Sequence, residues 1–180
     1  YHYGVLEYAY PEVREYMLKV ITTFSDRFDF DGVFLSLRSH SPPPEHADQF
    51  GFNEPVVKEY ERRYGRNILL QSFDLEKWRD LRGEYLTSLL RDVKAHLSRK
   101  GRKLSIGIAQ GEYLGPPFGN MKLHWRQWVS EKIIDELLER GVFMISVAGV
   151  DDFHVGMEGA DKQQAYKDKL SAMFERAGMR

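Results

Sequence analysis

The side chains able to do chemistry here are carboxylates, histidines, arginines and aromatics, because the 180-residue chain has no cysteine. Thiol nucleophiles, disulfides and thiolate-bound metals are thereby excluded. Aromatics are 13% of the residues, with three Trp, ten Tyr and eleven Phe. Most of the Phe belong in the core, while Trp and Tyr also have faces that stack on the C–H faces of sugar rings. Asp151, Asp152 and His154 are metal-ligand types, but their spacing is too loose to imply a site. No metal or other cofactor is expected.

Regular elements must position these groups. Pro11 opens a helix at a position proline favours. Val13, Met17, Val20, Ile21, Phe24 and Phe28 then mark one apolar face at helical spacing. Asp31-Gly32 breaks the pattern, and residues 33–37 read as a buried strand. Residues 39–53, with Pro42, Pro43 and Pro44 in series, form a loop long enough to suggest function. Helices follow over residues 54–64 and about 75–98. The second has Trp78, Leu81, Tyr85, Leu86, Leu89, Leu90, Val93 and Leu97 on its apolar side, and Gly101 ends it. Residues 104–109 are a second strand, with Ser105, Gly107 and Ala109 sharing a face of small residues. Residues 111–119 are a second loop, rich in Gly and Pro. Periodicity alone makes residues 122–139 one helix. Residues 142–147 read as a strand and 162–177 as a closing helix.

Alternating helices and strands imply an α/β fold of parallel strands joined by right-handed crossovers. In such folds ligands sit beyond the carboxyl ends of the strands. Both long loops leave strands at that end, which points to one site. The formal net charge is −1 and Lys and Arg are scattered, so no basic stripe for nucleic acid is present. With 42% hydrophobic residues the chain is globular, with core enough for one domain over residues 1–180. No apolar run reaches the ~18–20 residues of a membrane span. The chain opens at Tyr1 without Met and reads as a segment of a longer sequence. Lack of cysteine suits a secreted or periplasmic bacterial protein as well as a cytosolic one.

Pro11-Glu-Val-Arg14, followed by Phe28-Asp-Phe-Asp-Gly-Val33, resembles the family 10-like glycosyl hydrolases. So do Phe50-Gly-Phe-Asn53, Glu59-Tyr60, Arg63-Tyr64-Gly65, Trp78 and Leu81-Arg82-Gly83, in that order. Lys103-Leu-Ser-Ile106, Trp128-Val-Ser-Glu131 and Ile134-Asp135 are similar to two later segments. The similarity runs from about Glu7 to Leu138. It implies a TIM-type (β/α) barrel acting on glycosidic bonds of polysaccharides or cell-wall glycans. It also implies a strand over residues 133–138, which is preferred here to the periodicity reading. A whole barrel needs ~250 residues, so this one is expected to be incomplete, with fewer than eight strands.

The departures from the family pattern matter too. A typical relative would read Glu-Leu-Asp where this chain has Phe34-Leu35-Ser36, and would carry Asp at the place of His124. Glycoside hydrolysis usually needs two carboxyls across the scissile bond, ~5–5.5 Å apart for retention and ~6.5–9.5 Å for inversion. The candidates are Glu112, just past the strand ending at Ala109, Asp135 on the implied strand, and Glu7 after a strand remnant over residues 3–6. Each is otherwise a solvated surface acid. Glu136 points opposite to Asp135 in a strand, so only one of the two can face the site. Arg38 and His40 are placed to bind sugar hydroxyls or a uronate, or else anchor their loop by a salt bridge. Trp125, Trp128 and Tyr113 are candidates to stack on sugars, with at least one of the two Trp in the core.

Two functional classes follow: a glycoside hydrolase, or a catalytically degenerate barrel that binds glycans or serves as a scaffold. The two loop-bearing strands should be parallel neighbours with Glu112 and His40 at the same end. An incomplete barrel leaves an edge or apolar flank for another copy to cover, so a homo-oligomer is expected.

Overall fold

The computed structural model describes residues 6–37, 50–108, 113–114, 121–139 and 143–146. Its elements are α1 (Pro11–Arg27), β1 (Gly32–Leu37), α2 (Glu54–Tyr64), α3 (Leu75–Ser98), β2 (Lys103–Ile108), β3 (Tyr113–Leu114), β4 (Met121–Lys122), α4 (Trp125–Ser130), β5 (Glu136–Glu139) and β6 (Phe143–Ser146). Four strands form one sheet in the order β1-β2-β5-β6, and β3 and β4 form a short antiparallel ribbon. β1, β2 and β5 are parallel, with Phe34 beside Ser105 and Ser105 beside Glu136. No closed barrel is present among the described residues.

The parallel pairing of β1 and β2 agrees with the sequence, and two expectations are corrected. β6 runs antiparallel to β5. Only residues 140–142 separate them, too few for the crossover that a parallel neighbour requires. The single helix that periodicity gives over residues 122–139 is instead α4 followed by β5. Lys132, at φ 56, turns the chain between them, and Ile133 and Ile134 are buried there rather than on a helix face.

Local signals account for the helix ends. Asp74 caps α3 by accepting from the N–H groups of Glu76 (2.9 Å) and Lys77 (3.2 Å). At the other end the N–H of Gly101 reaches the Ser98 carbonyl and that of Arg102 reaches Leu97, around a left-handed Gly101. Gly65 closes α2 in the same conformation.

One core lies between the sheet and α1, α3 and α4. Leu104, Ile106 and Ile108 of β2 point into it, against Leu86, Leu90, Val93 and Leu97. A second core gathers Val56, Val57, Tyr60, Trp78 and Leu81 between α2 and the start of α3. α1 departs from its sequence reading. Ile21 and Ser25 are buried and Met17 and Leu18 pack on the core, but Val20 and Phe24 face outward.

Gly83 lets β4 lie close on α3, since a Cβ there would sit 2.1 Å from the Lys122 carbonyl oxygen. At Gly107 the atoms nearest to a Cβ belong to the ring of Phe34, the closest at 2.6 Å, and that side chain is half exposed and free to swing. Gly83→Ala is therefore expected to cost about 1–3 kcal/mol and Gly107→Ala clearly less, as read by urea unfolding.

Ion pairs tie the helices together at the surface. Lys100 and then His96 hold the Asp26 carboxyl down at about 2. Arg62 and then Arg63 do the same for Glu59, and Arg63 also bridges to Glu84 on α3. Both carboxyls titrate lower folded than unfolded. Their contribution is thus complete above pH ~4 and fades as pH falls toward 2. Thermal melts should show Tm dropping through that window, less steeply in high salt.

Candidate functional site

The sheet has a helix face and an open face. On the open face Phe34 lies over Gly107, Ser36 is exposed, and the Ser105 hydroxyl donates to Glu136. Lys103 also reaches Glu136, at 3.3 Å. The open-face carboxylate is thus Glu136, whereas Asp135 turns to the helix side.

The connections fix which end of the sheet is which. α1 ends four residues before β1 and α3 ends four residues before β2. Both helices therefore start near the carboxyl ends of the strands, and Glu7 and Arg82 lie at that level. Arg82 is 2% exposed and Glu7 9%, and the guanidinium donates to Glu7 Oε2 at 2.6 Å. Arg82 also stacks on the Trp78 ring, 4.9 Å from its centroid. The Trp78 indole donates to the Gly51 carbonyl at 3.0 Å, and Phe52 stacks on the same indole. A Cβ at Gly51 would sit 2.5 Å from the guanidinium, and its φ of 92 is one a side chain rarely adopts.

On the other side of Glu7, Arg14 of α1 donates to the carbonyls of Tyr8 and Ala9. Burial, and then the charge of Glu7, push the Tyr8 phenol above its ordinary value. Oε1 of Glu7 is buried and has no hydrogen-bond partner among the described residues. The result is a carboxylate held by one oxygen, with the other buried and unpaired among the described residues.

Asp135 sits at the opposite end. It immediately precedes β5, so the implied strand over residues 133–138 begins later than expected, at Glu136. Its carboxylate accepts from Lys94 of α3 and from the Leu104 N–H at 2.7 Å, and its own N–H donates to the Leu104 carbonyl at 2.9 Å. Arg82 and Lys94 are twelve positions apart on one helix, which is about 18 Å along its axis. Glu7 and Asp135 are therefore not brought together across one bond.

The aromatic candidates separate as well. Trp128 is fully buried and donates to Thr87 Oγ1 at 2.8 Å, so its ring is closed to a sugar. Trp125 is 9% exposed and carries Arg126 over its ring. Both are core residues of α4. Tyr113 lies in β3, with its backbone opposite Lys122. Glu112, Arg38, His40 and the Asp151, Asp152 and His154 group lie outside the described residues, as do residues 3–5 of the expected strand remnant. The described part of it, Leu6-Glu7, is irregular rather than strand.

A cavity of about 620 Å³ lies in the helix layer between α3 and α4. His124 Nε2 is there 3.1 Å from Asp80 Oδ1, and Lys122 reaches the same oxygen at 3.2 Å. Thr87 uses its hydrogen on the Gly83 carbonyl at 2.9 Å. His124 Nδ1 lies 3.4 Å from the same hydroxyl. This fixes the ring against α3. The described residues hold no group of three or more acidic or His side chains arranged for a metal ion. No helix is long and apolar enough to cross a membrane among the same residues.

Sequence reasoning missed Arg82 and Arg14 as the groups that hold Glu7 and its turn. The signal was their place in the Leu81-Arg82-Gly83 and Pro11-Glu-Val-Arg14 motifs. Glu136 was visible only as the alternate of Asp135.

Residues 4–169 match the family described as Glycosyl hydrolase-like 10. No curated protein and no solved structure matches the chain.

Removing Arg82 leaves a buried carboxylate without its cation. Arg82→Met is expected to cost about 3–5 kcal/mol of folding stability. Glu7→Gln retains an oxygen to accept from Arg82 and should cost less. Equal losses in denaturant titrations would show that the pair is not what holds this end.

Proposed function

The chain belongs to the Glycosyl hydrolase-like 10 family, and from that membership we propose that it is a glycoside hydrolase acting on a polysaccharide or cell-wall glycan. Its site lies at the carboxyl end of β1, β2 and β5, in an incomplete TIM-type barrel. The observation that carries this reading is Glu7, buried and fixed by Arg82 through Oε2, with Oε1 unsatisfied among the described residues. A pre-positioned acceptor is suited to a sugar hydroxyl or to an attacking water.

The proposed partner is Glu112, four positions after the last residue of β2 in the sequence. Glu7 accepts from a guanidinium and takes the ionised role of base or nucleophile. Glu112 donates the proton to the leaving oxygen. Arg38 and His40, which follow β1 in the sequence, and Tyr113 of β3 are assigned to the sugar hydroxyls. Asp135 is left out of the chemistry, because its ties to Lys94 and Leu104 support a role in joining β2, β5 and α3.

A specific observation favours a second reading, a barrel that binds glycan without cleaving it. Phe34 and Ser36 stand where the family resemblance implies acids, and the Phe34 ring lies over Gly107. A glycan panel with products read by mass spectrometry separates the two. Cleavage that falls by ~10²–10⁴ in Glu112→Gln and in Glu7→Gln, with folding retained, supports the hydrolase. Full activity in either variant removes that residue from the mechanism. Oligosaccharide binding without any cleavage selects the second reading.

A further inference from the structure

Tyr16, Val20 and Phe24 stand at i, i+4 and i+8 on the outward side of α1, and Phe28 and Phe30 continue the stripe toward β1. All five are 43–58% exposed. The three Phe rings pack on one another, with centroids 5.3–5.9 Å apart. The adjoining flank of the same helix already packs on the core through Met17, Leu18 and Ile21. The stripe is thus a second apolar face, contiguous and unpartnered among the described residues. A contiguous aromatic patch of this kind on a protein surface marks a contact.

The charges at its two ends say what covers it. Glu12 lies one turn before Tyr16, and Arg27 three positions after Phe24, over the Phe28 ring at 5.7 Å. Both are exposed. Turned end for end about an axis through Val20, the stripe meets itself. Val20 faces Val20, Tyr16 faces Phe24, and Glu12 comes opposite Arg27 and Phe28. Lys19, beside that axis, has Glu15 one turn away to offset it. A surface whose apolar ridge and end charges are both complementary to their own reverse fits a two-fold contact.

We infer that α1 forms an isologous dimer interface with a second copy of this chain, the two helices antiparallel and crossing at Val20. The inference is independent of the glycosidase reading, since the stripe is on the outer side of α1, away from the core. A 17-residue helix is about 25 Å long, and a single helix pair is at the small end of specific interfaces. Dissociation in the micromolar range is therefore expected.

Sedimentation velocity of the full chain, from low to high micromolar concentration, should show a reversible monomer–dimer equilibrium. Phe24→Asp should abolish the dimer while circular dichroism stays native, because Phe24 is exposed. Glu12→Arg alone and Arg27→Glu alone should each weaken it by about tenfold, since symmetry repeats the pair twice. The double exchange should restore it. A monomer at every concentration overturns the inference, as does a dimer that survives Phe24→Asp. Single and double charge exchanges that weaken it alike overturn the antiparallel arrangement.

Discussion

Two cations on one helix hold the two ends of this sheet. Arg82, near the start of α3, takes Glu7 at the carboxyl end, and Lys94, near its finish, takes Asp135 at the amino end. The first pair is the more demanding. Taking both charges out of water costs several kcal/mol, and mutual attraction offsets this only when the geometry is well supported. Support comes from Trp78 under the guanidinium and from Gly51, whose missing side chain leaves the space it occupies. The loop at residues 50–53, the turn at residues 8–10 and the start of α3 are all arranged around that one contact.

This gives the family-like motifs a physical meaning. Arg14 of the Pro11-Glu-Val-Arg14 run ties down the Tyr8–Ala9 turn. Gly51 and Phe52 of the Phe50-Gly-Phe-Asn53 run pack on Trp78 and Arg82. Gly83 admits β4 to α3. Together these contacts fix the backbone at the carboxyl end of the sheet.

Much of the frame was legible in the sequence because it rests on local signals. Pro11 and Gly101 mark helix ends by their own conformational preferences, and α2 and α3 follow helical spacing. The alternation Leu104, Ile106, Ile108 against Ser105, Gly107 sorts the two faces of β2. What was not legible depended on long-range or directional facts. Glu7 and Arg82 are 75 positions apart, and no local pattern pairs them. Asp135 stood on an implied strand, but only the register with Leu104 reveals that it belongs to the amino end. Val20 and Phe24 share a helical stripe with Ile21, yet they fall on opposite sides of the line between core and solvent. For β6, the direction was set by the three residues that precede it.

The proposed function requires that carbohydrate meet the carboxyl end of β1, β2 and β5. Amide NMR of the protein titrated with oligosaccharides tests this most directly, because both ends of the sheet report in one experiment. Shifts concentrated at Glu7, Tyr8, Leu37 and Ile108 are the predicted result. Shifts concentrated instead at Lys103, Leu104 and Asp135 would contradict it.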